Sequence, residues 1–144
     1  MNSFEWREEY SVGVASMDDT HHEFVECVNA MLQADDAGLP EALRVFTEHA
    51  RSHFGQEDRD MQASAYESAG CHVDEHAAVL RSAEEVRLAL EQGRHEVVRA
   101  FAQALADWFP EHARVMDLGL ARWLVQRRLG GSPVVIRPRA TVPA

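Results

Sequence analysis

Residues 53–57 read His-Phe-Gly-Gln-Glu, and residues 72–76 read His-Val-Asp-Glu-His. In each segment two polar side chains are four residues apart, so on a helix they lie on one face, one turn above the other. The first pair continues an apolar stripe formed by Leu43, Phe46 and Ala50, and the second pair leads into a similar stripe. Because an unpartnered buried carboxylate is costly, the pattern predicts groups that are paired, protonated or bound to metal.

Two further helices also place a histidine in an apolar stripe. His21 precedes Phe24 by three positions, and His112 follows Trp108 by four. A single pair of this kind is more typical of a solvated helix face. Four helices that each direct a histidine inward favour a shared site instead.

Asp117 does not fit a regular helix. It follows His112 by five residues, which is about 140° away on an ideal helix of 3.6 residues per turn. The two side chains can meet only if the helix bends, widens or ends. Pro110 provides one cause of distortion, and a single π-type turn would provide another.

The helical periods predict an all-α, up-down-up-down four-helix bundle with short loops. We expect an N-terminal arm over residues 1–17, a first helix capped near Asp18 and a third helix that ends at Gly93. The fourth helix would continue, with a break, towards residue 128. The predicted domain covers residues 1–130, and residues 131–144, with three prolines, form a C-terminal tail.

Size and charge narrow the possible functions. The chain has 144 residues, which suits one domain, and a net charge of −10, which argues against binding nucleic acid or an anionic membrane. Two cysteines, Cys27 and Cys71, do not make a disulfide framework and suit a reducing compartment. No run approaches the roughly 18 apolar residues of a membrane span. We therefore expect a soluble, cytoplasmic protein.

The candidate ligands number too many for one tetrahedral zinc ion. Five imidazoles and two carboxylates suit two six-coordinate ions bridged by the carboxylates, with one coordination position left open. The other three histidines, His22, His49 and His95, are predicted to lie outside the site. The predicted ligands are His21, His53, Glu57, His72, His76, His112 and Asp117.

The ordered pattern of these residues resembles the hemerythrin family. Its flanks are similar to bacterial members: Trp6 and Tyr10-Ser11-Val12-Gly13-Val14 in the arm, Met17-Asp18 before the first histidine, and Trp108 before the last. The resemblance covers roughly residues 4–125. It implies a non-haem di-iron protein that binds dioxygen reversibly, as an oxygen carrier, store or sensor and not as an enzyme.

The resemblance also implies a role for each ligand. One iron would be held by His72, His76 and His112, and the other by His21 and His53. Glu57 and Asp117 would bridge the two irons together with an oxo or hydroxo group. Dioxygen would bind at the five-coordinate iron of the second group and rest there as a hydroperoxide.

A dry pocket would protect that oxygen adduct, because water and protons promote its loss. The resemblance implies that the pocket is lined by Phe24, Phe54, Trp108, Phe109 and Ala113. Ala113 stands where the family usually has a larger aliphatic residue. We hypothesise that the smaller side chain admits solvent and makes autoxidation faster than in a storage protein.

Three other interpretations remain open. A di-iron oxidase, or a peroxide- or nitric-oxide-reducing enzyme, would typically use Glu–x–x–His pairs, and none of the eight histidines has a glutamate three positions earlier. An oxygen- or redox-responsive signalling module would act through a separate protein partner, reached through Arg137 and Arg139 of the tail. A purely structural bundle with surface histidines would bind no metal.

Overall fold

The computed structural model describes residues 3–128, which fold into helices joined by short connections, with no strand within that range. Helices α1 and α3 each pack against both α2 and α4, so the four long helices form a square bundle, as predicted. The fourth helix continues through a π-helical segment, His112–Asp117, into α5. The helices are α1 (Ala15–Gln33), α2 (Leu39–Ala63), α3 (Ala69–Glu91), α4 (His95–Glu111) and α5 (Leu118–Arg128).

The local sequence explains where these helices begin and end. Pro40 occupies the first turn of α2, where its missing N–H would have no helical acceptor. Gly93 follows α3 with φ +78°, a left-handed conformation that glycine adopts at no steric cost. The position of Gly93 agrees with the predicted end of the third helix.

The predicted cap of the first helix was wrong. Helix α1 begins at Ala15, and Asp18 lies inside its first turn, fully buried. Its carboxylate accepts hydrogen bonds from the backbone N–H of Val12 (2.7 Å) and the hydroxyl of Ser11 (2.8 Å). Asp18 therefore fastens the N-terminal arm to α1 instead of capping the helix.

The arm packs along the bundle. Phe4 and Tyr10 are buried, and both rings meet Phe109 of α4 edge-on. Trp6 stacks on His22, with ring centroids 3.6 Å apart. The arm therefore covers the α1–α4 side of the bundle, next to the predicted ligand His21.

The core divides along the bundle axis. The half that contains the α1–α2 and α3–α4 connections is filled by apolar side chains such as Met31, Phe46 and Phe101, and the other half holds buried polar groups. No helix within the described range is both long and apolar enough to cross a membrane. The tail predicted for residues 131–144 lies outside the described residues, so its boundary stays a prediction.

Candidate metal centre

The seven predicted ligand residues come together in the polar half of the bundle. Each is buried, with at most 6% of its surface exposed. Their ligating atoms form two groups that share Glu57. The three-histidine group contains His72, His76, His112 and Asp117, and the two-histidine group contains His21 and His53.

The two oxygens of Glu57 face different histidine groups. Oε1 lies 3.3 Å from the Nε2 atoms of both His72 and His76. Oε2 lies 2.8 Å from Nε2 of His53 and 3.9 Å from Nε2 of His21. The carboxylate therefore spans the two groups, with one oxygen on each side.

Asp117 repeats the arrangement. Its Oδ1 lies 2.9 Å from Nε2 of His72 and 3.3 Å from Nε2 of His112, while Oδ2 lies 2.9 Å from Nε2 of His21. Glu57 and Asp117 thus each place one carboxylate oxygen beside each histidine group. This is the arrangement that carboxylates bridging two metal ions require.

A widened helical turn brings Asp117 to the site. His112–Asp117 is π-helical, and both end residues are buried on the same side. A π-helical turn holds more residues than an α-helical turn, so a spacing of five places both side chains on one face. Pro110 lies inside α4, just before this segment. Of the three distortions allowed by the sequence, the structure therefore shows widening.

The donor atoms fit metal ions better than they fit each other. In the described part of the chain, the Nε2 atoms of His21, His72, His76 and His112 form no hydrogen bond, although several lie close to carboxylate oxygens. Both oxygens of Asp117 are also without one. Buried polar atoms that approach without hydrogen-bond geometry are costly unless a further group satisfies them. Divalent first-row metal ions suit imidazole and carboxylate donors.

The charges within the site are strongly coupled. Burial lowers the pKa of His72, but the carboxylates of Asp117 and Glu57 outweigh this effect and raise it to about 9. Burial raises the pKa of Asp117, but His112 and His21 outweigh it and hold the carboxyl well below its usual value. Without metal, the carboxylates thus stay ionised beside a protonated imidazole.

Two carboxylates outside the predicted set accept hydrogen bonds from the Nδ1 atoms of ligand histidines, on the side of each ring that faces away from the site. Asp58 Oδ1 accepts a hydrogen bond from Nδ1 of His76 at 2.8 Å. Glu75 Oε1 accepts one from Nδ1 of His112 at 2.9 Å and another from Nε1 of Trp108 at 3.1 Å. Such partners fix the ring orientation and the tautomer, so that Nε2 faces the site.

Each hydrogen-bonding partner lies on the element that precedes the helix of its histidine in the chain. Asp58 of α2 supports a histidine of α3, Glu75 of α3 supports one of α4, and the carbonyl oxygen of Tyr10 in the arm lies 3.4 Å from Nδ1 of His21 in α1. The Nδ1 atoms of His53 and His72 have no hydrogen-bond partner among the described residues. No residue of α1 therefore supports His53 of α2.

The predicted pocket residues surround the ligand histidines. Phe24 stacks on Phe109 at 4.7 Å between ring centroids, and Phe109 meets His21 edge-on at 5.3 Å. On the other side, Phe54 stacks on His76 at 4.1 Å, and Trp108 stacks on His112 at 4.2 Å. Ala113 is fully buried in the same core.

The other three histidines do not belong to either metal-ligating group found among the described residues. His22 stacks on Trp6, and His95 is the first residue of α4. His49 lies one turn before His53, with its Nδ1 3.4 Å from a carboxylate oxygen of Glu23.

Comparison with known proteins agrees with this geometry. The chain matches the family described as "Hemerythrin HHE cation binding domain" over residues 12–124. The chain belongs to the hemerythrin family. Within the hemerythrin family it is 34% identical to a bacteriohemerythrin of Ralstonia nicotianae over 88% of this chain and 93% of that protein. Bacteriohemerythrins of Pseudomonas paraeruginosa (25%; 79% of this chain, 76% of theirs) and Stenotrophomonas maltophilia (22%; 81% and 78%) are more distant.

Proposed function

We propose that this hemerythrin-family protein binds two iron ions and uses them to bind dioxygen reversibly, as a carrier, store or sensor. One iron would be held by His72, His76 and His112, and the other by His21 and His53. Glu57 and Asp117 would bridge the pair. The proposal assigns the protein no catalytic residue.

The division of the carboxylate oxygens carries the proposal. Each of the two carboxylates places one oxygen beside each histidine group, and Asp117 reaches its place only through the π-helical turn. A single ion would need neither the second carboxylate nor five imidazoles. One group offers three imidazoles and the other offers two. The ion of the two-histidine group would therefore keep one coordination position open.

Iron supplies the electrons and the open coordination position that dioxygen binding needs. The protein supplies the surroundings. Phe24 and Phe109 are buried against the two-histidine group and exclude water on that side of it. Water exclusion keeps protons away from bound oxygen and thereby favours release over conversion to the oxidised protein.

An oxygenation cycle tests this function. The purified protein is analysed for metal, reduced without air, exposed to oxygen and then freed of oxygen while its visible absorption is recorded. We expect about two irons per chain, as the two ligand groups require, and an absorption band that appears with oxygen and disappears on its removal. Direct conversion to the oxidised form would favour a di-iron oxidase, and zinc or manganese in place of iron would contradict the proposal.

A further inference from the structure

A polar cleft opens between α1 and α2 and reaches the two-histidine group. Glu23 and Asp60 lie at its outer end, His49 lines its wall, and the buried residues His53 and Glu57 form its inner end. The cleft has a volume of about 250 Å³, room for several water molecules at roughly 30 Å³ each. This α1–α2 cleft therefore connects solvent with two of the residues that we assign as metal ligands.

The inner end of the cleft is polar and unsatisfied. The side chain of His53 is only 4% exposed, and its Nδ1 makes no hydrogen bond within the described residues. The same is true of Nε2 of His49, whose ring centroid lies 5.6 Å from that of His53. On its other side His49 faces the carboxylate of Glu23 at 3.4 Å. A carboxylate and two imidazoles thus follow one another from the surface inward.

We propose that the α1–α2 cleft is the route by which a hydrated ferrous ion reaches and leaves the His21–His53 position. The proposal rests on the function proposed above, since it assumes that this position holds iron. Carboxylates and imidazoles are donors that a divalent iron ion accepts, and they replace its water molecules in steps. The acidic outer end also raises the local concentration of cations.

A second acidic cavity serves as the comparison. It lies between α3 and the end of α4, has a volume of about 330 Å³ and is lined by Glu75, Asp107, Glu111 and His112. Here the outward nitrogen of His112 already donates a hydrogen bond to Glu75. This cavity is at least as large and as acidic as the α1–α2 cleft, but its histidine offers no unsatisfied atom to an incoming ion. Charge alone therefore does not distinguish the two.

The test measures rates of iron uptake by the metal-free 144-residue chain under anaerobic, low-salt conditions. Glu23→Gln with Asp60→Asn removes the two carboxylates at the outer end of the α1–α2 cleft, and Asp107→Asn with Glu111→Gln is the matched control. We expect the cleft variant to take up its second iron about tenfold more slowly, with the difference disappearing at high salt. The control should stay close to the unmodified chain, and all three should reach the same final iron content.

A second variant tests the route by size instead of charge. Ser52 lies on the exposed side of α2 and lines the cleft, so Ser52→Phe narrows it without changing the core. We expect slower iron uptake. We also expect a ferrous chelator to remove the iron of the His21–His53 position, which should be lost first, more slowly. Unchanged rates in both cleft variants, or equal slowing in the control, would overturn the route. A wild-type chain that never binds two irons would overturn the proposed function itself, and with it this route.

Discussion

The two histidine groups share their carboxylates but differ in what holds their histidines from outside. In the three-histidine group, Asp58 and Glu75 accept hydrogen bonds from His76 and His112 at 2.8 and 2.9 Å, and only His72 has no partner for its Nδ1 among the described residues. In the two-histidine group, His21 faces only a backbone carbonyl at 3.4 Å, and His53 has no partner among the described residues. A carboxylate partner fixes an imidazole and makes it a stronger donor. We therefore expect the three-histidine group to bind its ion more tightly than the two-histidine group.

This difference suits the proposed function. In the proposed function, the ion of the two-histidine group would have the open coordination position. The surroundings of this group combine a buried aromatic wall of Phe24 and Phe109 with the polar α1–α2 cleft. An anchored ion and a more accessible ion can share two bridging carboxylates while they serve different roles. The following predictions test that division.

The largest effect should come from the shared carboxylates. Asp117→Asn removes the charge that faces both groups, so both irons should be bound more weakly. The loss should exceed the roughly 10–100-fold that follows when an outer hydrogen-bond partner of a ligand is removed. Iron analysis after dialysis measures it, with His95→Gln as a control that keeps its iron. Retention of two tightly bound irons by Asp117→Asn would refute the bridging role.

The outer carboxylates should affect one group only. Glu75→Gln or Asp58→Asn should weaken iron binding at the three-histidine position by roughly 10–100-fold, because His112 or His76 loses its charged partner. Competition with a chelator under anaerobic conditions resolves the two binding steps. Asp74→Asn, at an exposed position on the same helix as Glu75, should change neither step. Equal weakening of both steps would mean that the two halves do not differ as described.

Ala113 should control the lifetime of the oxygenated protein. Ala113→Ile adds apolar volume to a fully buried position, and we expect autoxidation to slow by roughly threefold to tenfold as water is excluded. The decay of the oxygenated absorption band measures the rate. Val115→Ile, at a position 58% exposed, is the matched control. Ala113→Val serves the same purpose if isoleucine overpacks the core. An unchanged rate in both Ala113 variants would show that the side chain at position 113 does not control autoxidation.

The smallest effect concerns the metal-free protein. The pKa of His72 is about 9 in the folded state, above the ordinary 6.5. Its contribution to stability is therefore fully present below pH 6.5 and is lost as the pH rises through 9. Chemical denaturation should show a fall on the order of 2 kcal/mol in unfolding free energy between pH 6.5 and 10. His72→Gln should reduce this fall, and the iron-loaded protein, whose imidazoles are already neutral, should not show it. An equal fall in the iron-loaded protein would contradict the assignment.

Periodicity was sufficient to predict the four helices and six of the seven residues that meet in the core, all except Asp117. Apolar stripes of helical period specify which face is buried, and histidines within those stripes must be buried with it. For Asp117 the sequence allowed three distortions, because a spacing of five excludes a regular helix but does not select among its alternatives. The structure shows that the chain widens into a π-helix.

Other features depend on contacts that no local pattern encodes. Asp18 carries an ordinary capping signal, and only the packing of the arm shows that it binds Val12 and Ser11 instead. Asp58 and Glu75 look like half-exposed helix residues beside a ligand. Their role appears once it is known which neighbouring helix each one faces. The position of Glu75 immediately before His76 was the available signal, but it did not indicate that its partner would be His112.

Anaerobic titration of the metal-free chain with ferrous ion tests the central claim most directly, because it counts the ions and compares the two positions at once. The account predicts two irons per chain, with a tighter first step that is weakened by Glu75→Gln and a weaker second step that is lost in His53→Gln. Binding of a single iron, or two equal steps that respond identically to both variants, would contradict it.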